Sequence, residues 1–264
     1  MSNRIKKVFE KKGKKLVTFT TGGDPDLDTS LKILKTIIAN DIDIIEIGMP
    51  FSDPMADGPT IQESSVRSIL SGTKIDDLFE IVKKVRKIND EIPIIFMGYY
   101  NSIFNIGIDN FTTKCAELGV DGLIIVDLQP EEDSELFTKS KEQGIDLIRL
   151  ITPTTDQKRL STILSNASGF LYYVTVTGIT GQNSANIEDL KKSINTIKSS
   201  TKLPIVAGFG IKNKNDVEQI STFTDGVVVG SSIVNIIKDN LNDKNKMINE
   251  IKVFTKDLKE GIKE

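Results

Sequence analysis

Glu46 is the one charged residue in an apolar run, Ile44-Ile45-Glu46-Ile47-Gly48. A carboxyl inside a buried strand is costly unless it is paired or protonated. Carboxyls perturbed in that way gather where protons are moved; an exposed or ion-paired glutamate is the plainer alternative. The loop that follows, 49–60, carries Asp53 and Asp57 among three prolines and one glycine. Aspartates beside Pro and Gly are ordinary turn formers. If Glu46 and Asp57 share one mouth, however, they can flank a small ligand as an acid–base pair, held in different protonation states by different surroundings. A third feature is a set of glycine turns in the second half: Thr180-Gly181, Gly208-Phe209-Gly210 and Gly230-Ser231-Ser232. Each alone reads as a common strand-to-helix turn. Together, the last two opening helices, they offer backbone N–H groups and helix N-termini to a phosphate, with Ser231 adding a hydroxyl. Such a site needs no guanidinium, and only five of the 34 basic residues are Arg. Phe19, Met97, Tyr99, Tyr172 and Phe209 fall at ends of apolar runs, where they would line a flat apolar pocket between carboxylates and phosphate.

Composition narrows the chemistry. The chain of 264 residues has no histidine, one cysteine (Cys115) and a net charge of −3. Histidine triads and cysteine-clustered zinc sites are thereby excluded, and no metal site is expected. Acid–base work falls to Asp, Glu, Tyr, Lys or Cys115, and Cys115 reads as inert packing. The balanced charge, with no basic stripe, argues against a nucleic-acid partner. No apolar run reaches the ~20 residues of a spanning helix, and the amino-terminal stretch lacks a signal-peptide core. A reducing, cytoplasmic compartment is expected.

These groups need a frame. Apolar, β-branched runs recur at 16–20, 44–48, 94–98, 123–126, 147–151, 170–174, 205–208 and 227–230. Their continuous hydrophobicity reads as parallel strands covered on both faces. Between them lie amphipathic stretches at 30–39, 76–88, 110–118, 131–143, 157–165, 187–198, 214–220 and 232–237, with an additional short helix at 61–70. Asn213 and Ser231 are candidate N-caps. Eight strands alternating with eight helices predict a closed α/β barrel, the (β/α)8 TIM barrel, as a single domain over 1–264. A cap helix precedes it and a polar helix within 240–264 follows. The open, doubly wound sheet is the alternative; its Gly-x-Gly-x-x-Gly turn is absent. In the barrel, strand ends and the loops after them hold the site.

The strings TTGGDPD (20–26), PFSDPMADGPTIQ (50–62), VTVTGITG (174–181), AGFGI (207–211) and VVVGSSIV (227–234) resemble the tryptophan synthase alpha chain family nearly end to end. The resemblance implies a lyase that splits indole-3-glycerol phosphate into indole and glyceraldehyde 3-phosphate in tryptophan biosynthesis. It matches Glu46 and Asp57 to the family's catalytic carboxyls. It implies a phosphate held by Gly181, Gly210, Gly230 and Ser231, an indole enclosed by Phe19, Met97, Tyr99, Ile124, Tyr172 and Phe209, and Thr180 ordering Asp57 on loop closure. No cofactor is implied in this chain; pyridoxal phosphate is implied in a partner beta chain, in an alpha2-beta2 heterotetramer. The apolar loop 50–59, with Pro50, Phe51 and Asp53, is expected to be exposed and to meet that partner. The chain departs from the family pattern at Gln129 and Gly23, neither in the acid pair. Two other readings stand beside this one: a non-catalytic barrel that activates a partner, and another phosphate-binding barrel such as a phosphosugar isomerase.

Overall fold

A computed structural model describes residues 2–174, 184–208 and 210–262, with 184–186 described by backbone alone. The strands are β1 (Lys15–Thr21), β2 (Ile44–Gly48), β3 (Ile94–Gly98), β4 (Gly122–Ile125), β5 (Asp146–Leu147), β6 (Arg149–Ile151), β7 (Leu171–Val174), β8 (Ile205–Gly208) and β9 (Gly226–Val229). The helices are α1 (Asn3–Glu10), α2 (Leu27–Ile38), α3 (Pro59–Leu70), α4 (Ile75–Arg86), α5 (Tyr100–Ile106), α6 (Ile108–Leu118), α7 (Ser134–Glu142), α8 (Gln157–Ser165), α9 (Ser184–Ser200), α10 (Lys214–Ser221), α11 (Ser231–Asp239) and α12 (Lys244–Glu260).

All strand pairs are parallel, in the order β5-β4-β3-β2-β1-β9-β8-β7-β6. The two ends of that order are consecutive in the chain. β5 and β6 are halves of one run parted at Ile148, whose N–H still donates to the Leu123 carbonyl at 3.0 Å. The sheet therefore comes full circle as an eight-position (β/α)8 barrel with a split fifth strand, the expected fold with one interruption.

Strand alternation sorts the core into two shells. Outward residues such as Leu16, Ile45, Ile47, Phe96 and Leu123 pack under the helices. Inward residues, among them Val17, Ile44, Ile95, Ile124, Ile148, Phe170, Val206 and Val228, fill the barrel. The strand-start end is plugged by α1, whose Ile5 and Val8 join the inner cluster. Burying each contributes roughly 1.5–3 kcal/mol. Lys15 fastens the plug, its Nζ donating to the Lys11 and Lys12 carbonyls at 2.8 and 3.1 Å. The opposite end, where the βα loops emerge, is left for chemistry.

Side-chain caps mark four of the helix starts. Asp26, Asp156, Asn213 and Asp243 each accept a first-turn N–H as N-cap. Asn213 thus caps as expected, but Gly230, not Ser231, is the N-cap of α11, and Ser231 is its first residue. The sequence predicts no helix at α5, where a single residue, Ile103, is buried and no 3.6-residue stripe shows. Among the described residues, no helix is long and apolar enough to cross a membrane.

Candidate active site

Glu46 lies in β2 with Ile44 on the barrel side, because Ile45 and Ile47 belong to the outer shell. Its register neighbours are Phe19 on β1 and Ile95 on β3. The residue is 0% exposed, and neither carboxyl oxygen has a hydrogen-bond partner among the described residues. Water is replaced by apolar walls, so the charged form is disfavoured and the pKa is pushed up from 4.5 to about 8. At neutral pH this carboxyl carries a proton. Tyr172 shares the space: burial first, then the nearness of Glu46 and Asp57, drives its phenol well above its usual value.

Asp57 arrives from the loop between β2 and α3. The Tyr99 hydroxyl, at the end of β3, donates to Asp57 Oδ2 at 2.9 Å and accepts the Ala56 N–H at 3.0 Å. The Tyr99 ring stacks on Phe51, with centroids 5.0 Å apart. The loop is closed on itself by Asp57 N–H to the Pro54 carbonyl at 3.0 Å and tied to α3 by Gln62 Nε2 to the Asp57 carbonyl at 2.9 Å. Burial raises the Asp57 pKa and the Tyr99 hydrogen bond opposes the rise. Asp57 thus lines the cavity at this mouth, whereas Glu46, wholly buried near Tyr172, is not among the described residues that line it.

That packing corrects the expected exposed apolar loop in part. Met49 and Pro54 are buried, and Pro50 and Phe51 are half-buried, Phe51 against Tyr99. Asp53 is exposed, and Met55 is the apolar residue of this loop that faces solvent fully, at 81%.

Across the mouth, α11 begins at Ser231, with Gly230 as its N-cap, and presents its first N–H groups. Gly210 has φ +60°, which favours glycine. The Ser232 hydroxyl ties the two turns by donating to the Ile211 carbonyl at 2.5 Å. Between this end and Asp57 lies a cavity of about 640 Å³, lined by Phe19, Asp57, Met97, Tyr172, Gly210, Gly230 and Ser231. No lysine or arginine is among the described residues that line it. Tyr99 lines a small annex that shares Phe19, Asp57 and Met97 with it. Ile124 is fully buried in the inner cluster and does not reach the lining. Thr180, Gly181 and Phe209 lie outside the described residues.

Sequence reasoning missed Ile61, Val126, Leu150, Val174, Ile211 and Val228, which also line the cavity. The period-two signal was available for some: Val126 follows Ile124, and Val174 follows Tyr172, on the same strand face. Asp127, two residues past β4, accepts the Tyr100 N–H at 2.8 Å and so caps the turn into α5. Cys115 is buried in α6, its thiol pushed up by desolvation, as inert packing requires.

The family model for the tryptophan synthase alpha chain matches residues 5–263. A curated tryptophan synthase alpha chain from Petrotoga mobilis is 42% identical over 257 residues, covering 97% of this chain and 99% of the relative. The crystal structure of tryptophan synthase subunit alpha from Legionella pneumophila superposes with a TM-score of 0.91 at 34% identity, over 99% of this chain and 98% of that one. A chain of M. tuberculosis tryptophan synthase in its aminoacrylate-bound form gives a TM-score of 0.88 at 25% identity, over 98% and 99%. With its barrel, its buried carboxyl and these matches along nearly its whole length, the chain belongs to the tryptophan synthase alpha chain family, lyases of tryptophan biosynthesis that act on indole-3-glycerol phosphate.

Proposed function

We propose that the cavity is where this chain splits indole-3-glycerol phosphate into indole and glyceraldehyde 3-phosphate, with Glu46 moving the protons and Asp57 balancing the charge. The observation that carries this reading is the Glu46 carboxyl, buried without a partner among the described residues and pushed up to about 8. It enters the cycle as an acid. An indole carbanion is a poor leaving group, so the ring must first become an electron sink. Glu46 gives its proton to ring C3, and the indolenine so formed carries a cationic N–H that lies against the Asp57 carboxylate. The carboxylate left on Glu46 takes the proton of the glycerol C3′ hydroxyl. As that oxygen closes to an aldehyde, the C–C electron pair flows into the ring, releasing indole and leaving Glu46 protonated again.

The rest of the cavity suits the remainder of the substrate. Phe19, Met97 and Tyr172 offer apolar walls for the ring. The Gly210 turn and the α11 N-terminus at Gly230 and Ser231 offer N–H donors to the phosphate. Gly181 joins them, and Thr180 acts on closure, by their place in the family's sequence pattern. The family's pattern places pyridoxal phosphate in the partner rather than in this chain. That partner is a beta chain, met in an alpha2-beta2 assembly in the cytoplasm. A barrel that only activated a partner would have no use for a carboxyl held protonated in its interior. The test is direct. Purified chain is mixed with indole-3-glycerol phosphate and indole release is followed, with Glu46→Gln as comparison. We expect release by the wild type and a loss of about 10²–10⁴-fold in the variant, the range of general acid–base catalysis. Near-normal turnover by Glu46→Gln would remove the proposal.

A further inference from the structure

Helix α3 is amphipathic the wrong way round. Its buried residues are Ser64, Ser65 and Ser68, while Val66, Ile69 and Leu70 are exposed at 48%, 37% and 81%. The seat of this helix is therefore polar. Ser68 Oγ donates to the Gly22 carbonyl at 2.6 Å, and Ser64 Oγ meets Thr21 Oγ1 at 2.5 Å. The approach is close: a Cβ on Gly23 would lie 2.2 Å from Thr73 Oγ1 and 2.9 Å from Ser68 Oγ. At the centre of the seat Arg67 grips Asp24 with both arms of its fork, Nε to Oδ1 and Nη2 to Oδ2, each at 2.8 Å. The Asp24 side chain is 0% exposed and that of Arg67 17%. Apolar packing tolerates sliding, whereas a bidentate guanidinium–carboxylate pair fixes direction and register.

What that register sets is the acid loop. Gly58 is the N-cap of α3, Asp57 immediately precedes it, and Gln62 on the first turn holds the Asp57 carbonyl. At its flank α3 reaches α11 through Glu63–Lys238 at 2.6 Å. We propose that Arg67 is a positioning residue for the reaction. Through Asp24 it locks α3 to the turn after β1 and so fixes where the Asp57 carboxylate stands over the cavity, some two turns of helix from the lock. The proposal rests on Asp57 acting at the site as described above. A misplacement of about 1 Å in a reacting group is worth up to about 10²-fold in rate, which sets the size of the effect.

The experiment is indole release from indole-3-glycerol phosphate by wild type, Arg67→Met, Arg67→Lys, Asp57→Asn and the double variant Asp57→Asn/Arg67→Met, each assayed well below its melting temperature. We expect kcat of Arg67→Met to fall 10- to 100-fold while KM changes less than 3-fold. Arg67→Lys, which keeps the charge but not the fork, should lie between, and it carries the test if Arg67→Met does not fold. In the Asp57→Asn background, Arg67→Met should cause no further loss of kcat. A lowered melting temperature with unchanged kcat in both Arg67 variants would overturn the proposal, as would a full additional loss in the double variant. Wild-type turnover by Asp57→Asn would instead remove the reading beneath it, a failure visible without any Arg67 variant.

Discussion

A carboxyl walled in by apolar side chains and a phenol works against the stability of the chain that carries it, and the pH dependence of that effect can be measured. Glu46 titrates near its ordinary 4.5 when unfolded and near about 8 when folded. Between those values the folded chain holds a proton that the unfolded chain has lost. The contribution of this group to stability is therefore greatest below pH 4.5, and it is lost at about 1.4 kcal/mol per pH unit as pH rises toward 8. Glu46→Gln removes the titration, so the variant should gain on the wild type across that window in urea unfolding at stepped pH. Parallel curves for the two proteins would contradict a raised Glu46 pKa. Tyr99→Phe tests the second carboxyl. It deletes the 2.9 Å bond that opposes the rise in Asp57 pKa. The Asp57 pKa then climbs further, and the acidic limb of the kcat profile should move to higher pH, with kcat about 10-fold lower. An unmoved acidic limb would show that Tyr99 does not hold Asp57 in its working state. Glu46 was legible in the sequence because one charge in an apolar strand has few explanations. The role of Tyr99 was not, because its bond joins residues 42 positions apart and exists only once β3 and the loop are folded together.

At the scale of elements, strands were easier to read than helices. Parallel strands covered on both faces write themselves as unbroken apolar runs, and all eight predicted runs became barrel positions. The break at Ile148 left no trace in hydrophobicity, since the residue stays buried and bonded to Leu123. Helix α3, its faces reversed, is expected from the sequence only at 61–70, two residues short of its start at Pro59, which Gly58-Pro59 marks whatever the helix buries. The anion end depends on element geometry in the same way. A Cβ on Gly230 would stand 3.3 Å from Phe19 Cβ, and Gly210 holds φ +60°. Changing Gly230 to Leu or Gly210 to Val should thus displace the N–H groups offered to the phosphate. We expect KM for indole-3-glycerol phosphate to rise at least 10-fold, with protection by glycerol phosphate against thermal unfolding largely lost. If both variants keep the wild-type KM, the phosphate is bound elsewhere.

For the whole molecule, the barrel has one end sealed by α1 and the other crowded with loops, so a partner that receives indole has to meet the loop end. Among the described residues, exposed apolar side chains there include Met55, at 81%, and Phe104, at 65%, each on a segment that follows a barrel strand, beside Val66, Ile69 and Leu70 on α3. Met55 stands two residues before Asp57 in a loop where Met49 and Pro54 are buried and Pro50 and Phe51 half-buried. Phe51, expected to face the partner, is half-buried and also stacks on Tyr99, so Phe51→Asp should damage cleavage by the free chain as well as association. Met55 and Asp53 are the cleaner probes, because neither touches the acid pair through any bond of its side chain. Docking on Met55 would bias the loop toward the arrangement that presents Asp57, which makes binding and activation one population shift. We therefore expect the free chain to be weakly active and to be stimulated by a beta chain. Met55→Asp and Asp53→Ala should weaken association at least 10-fold and lower stimulation at equal beta-chain concentration, while basal cleavage stays unchanged. Activity titrated against beta chain, with sedimentation to follow the complex, separates the two quantities. If both variants bind and respond as the wild type does, the partner docks elsewhere, and the carboxyl chemistry stands without a loop-borne switch.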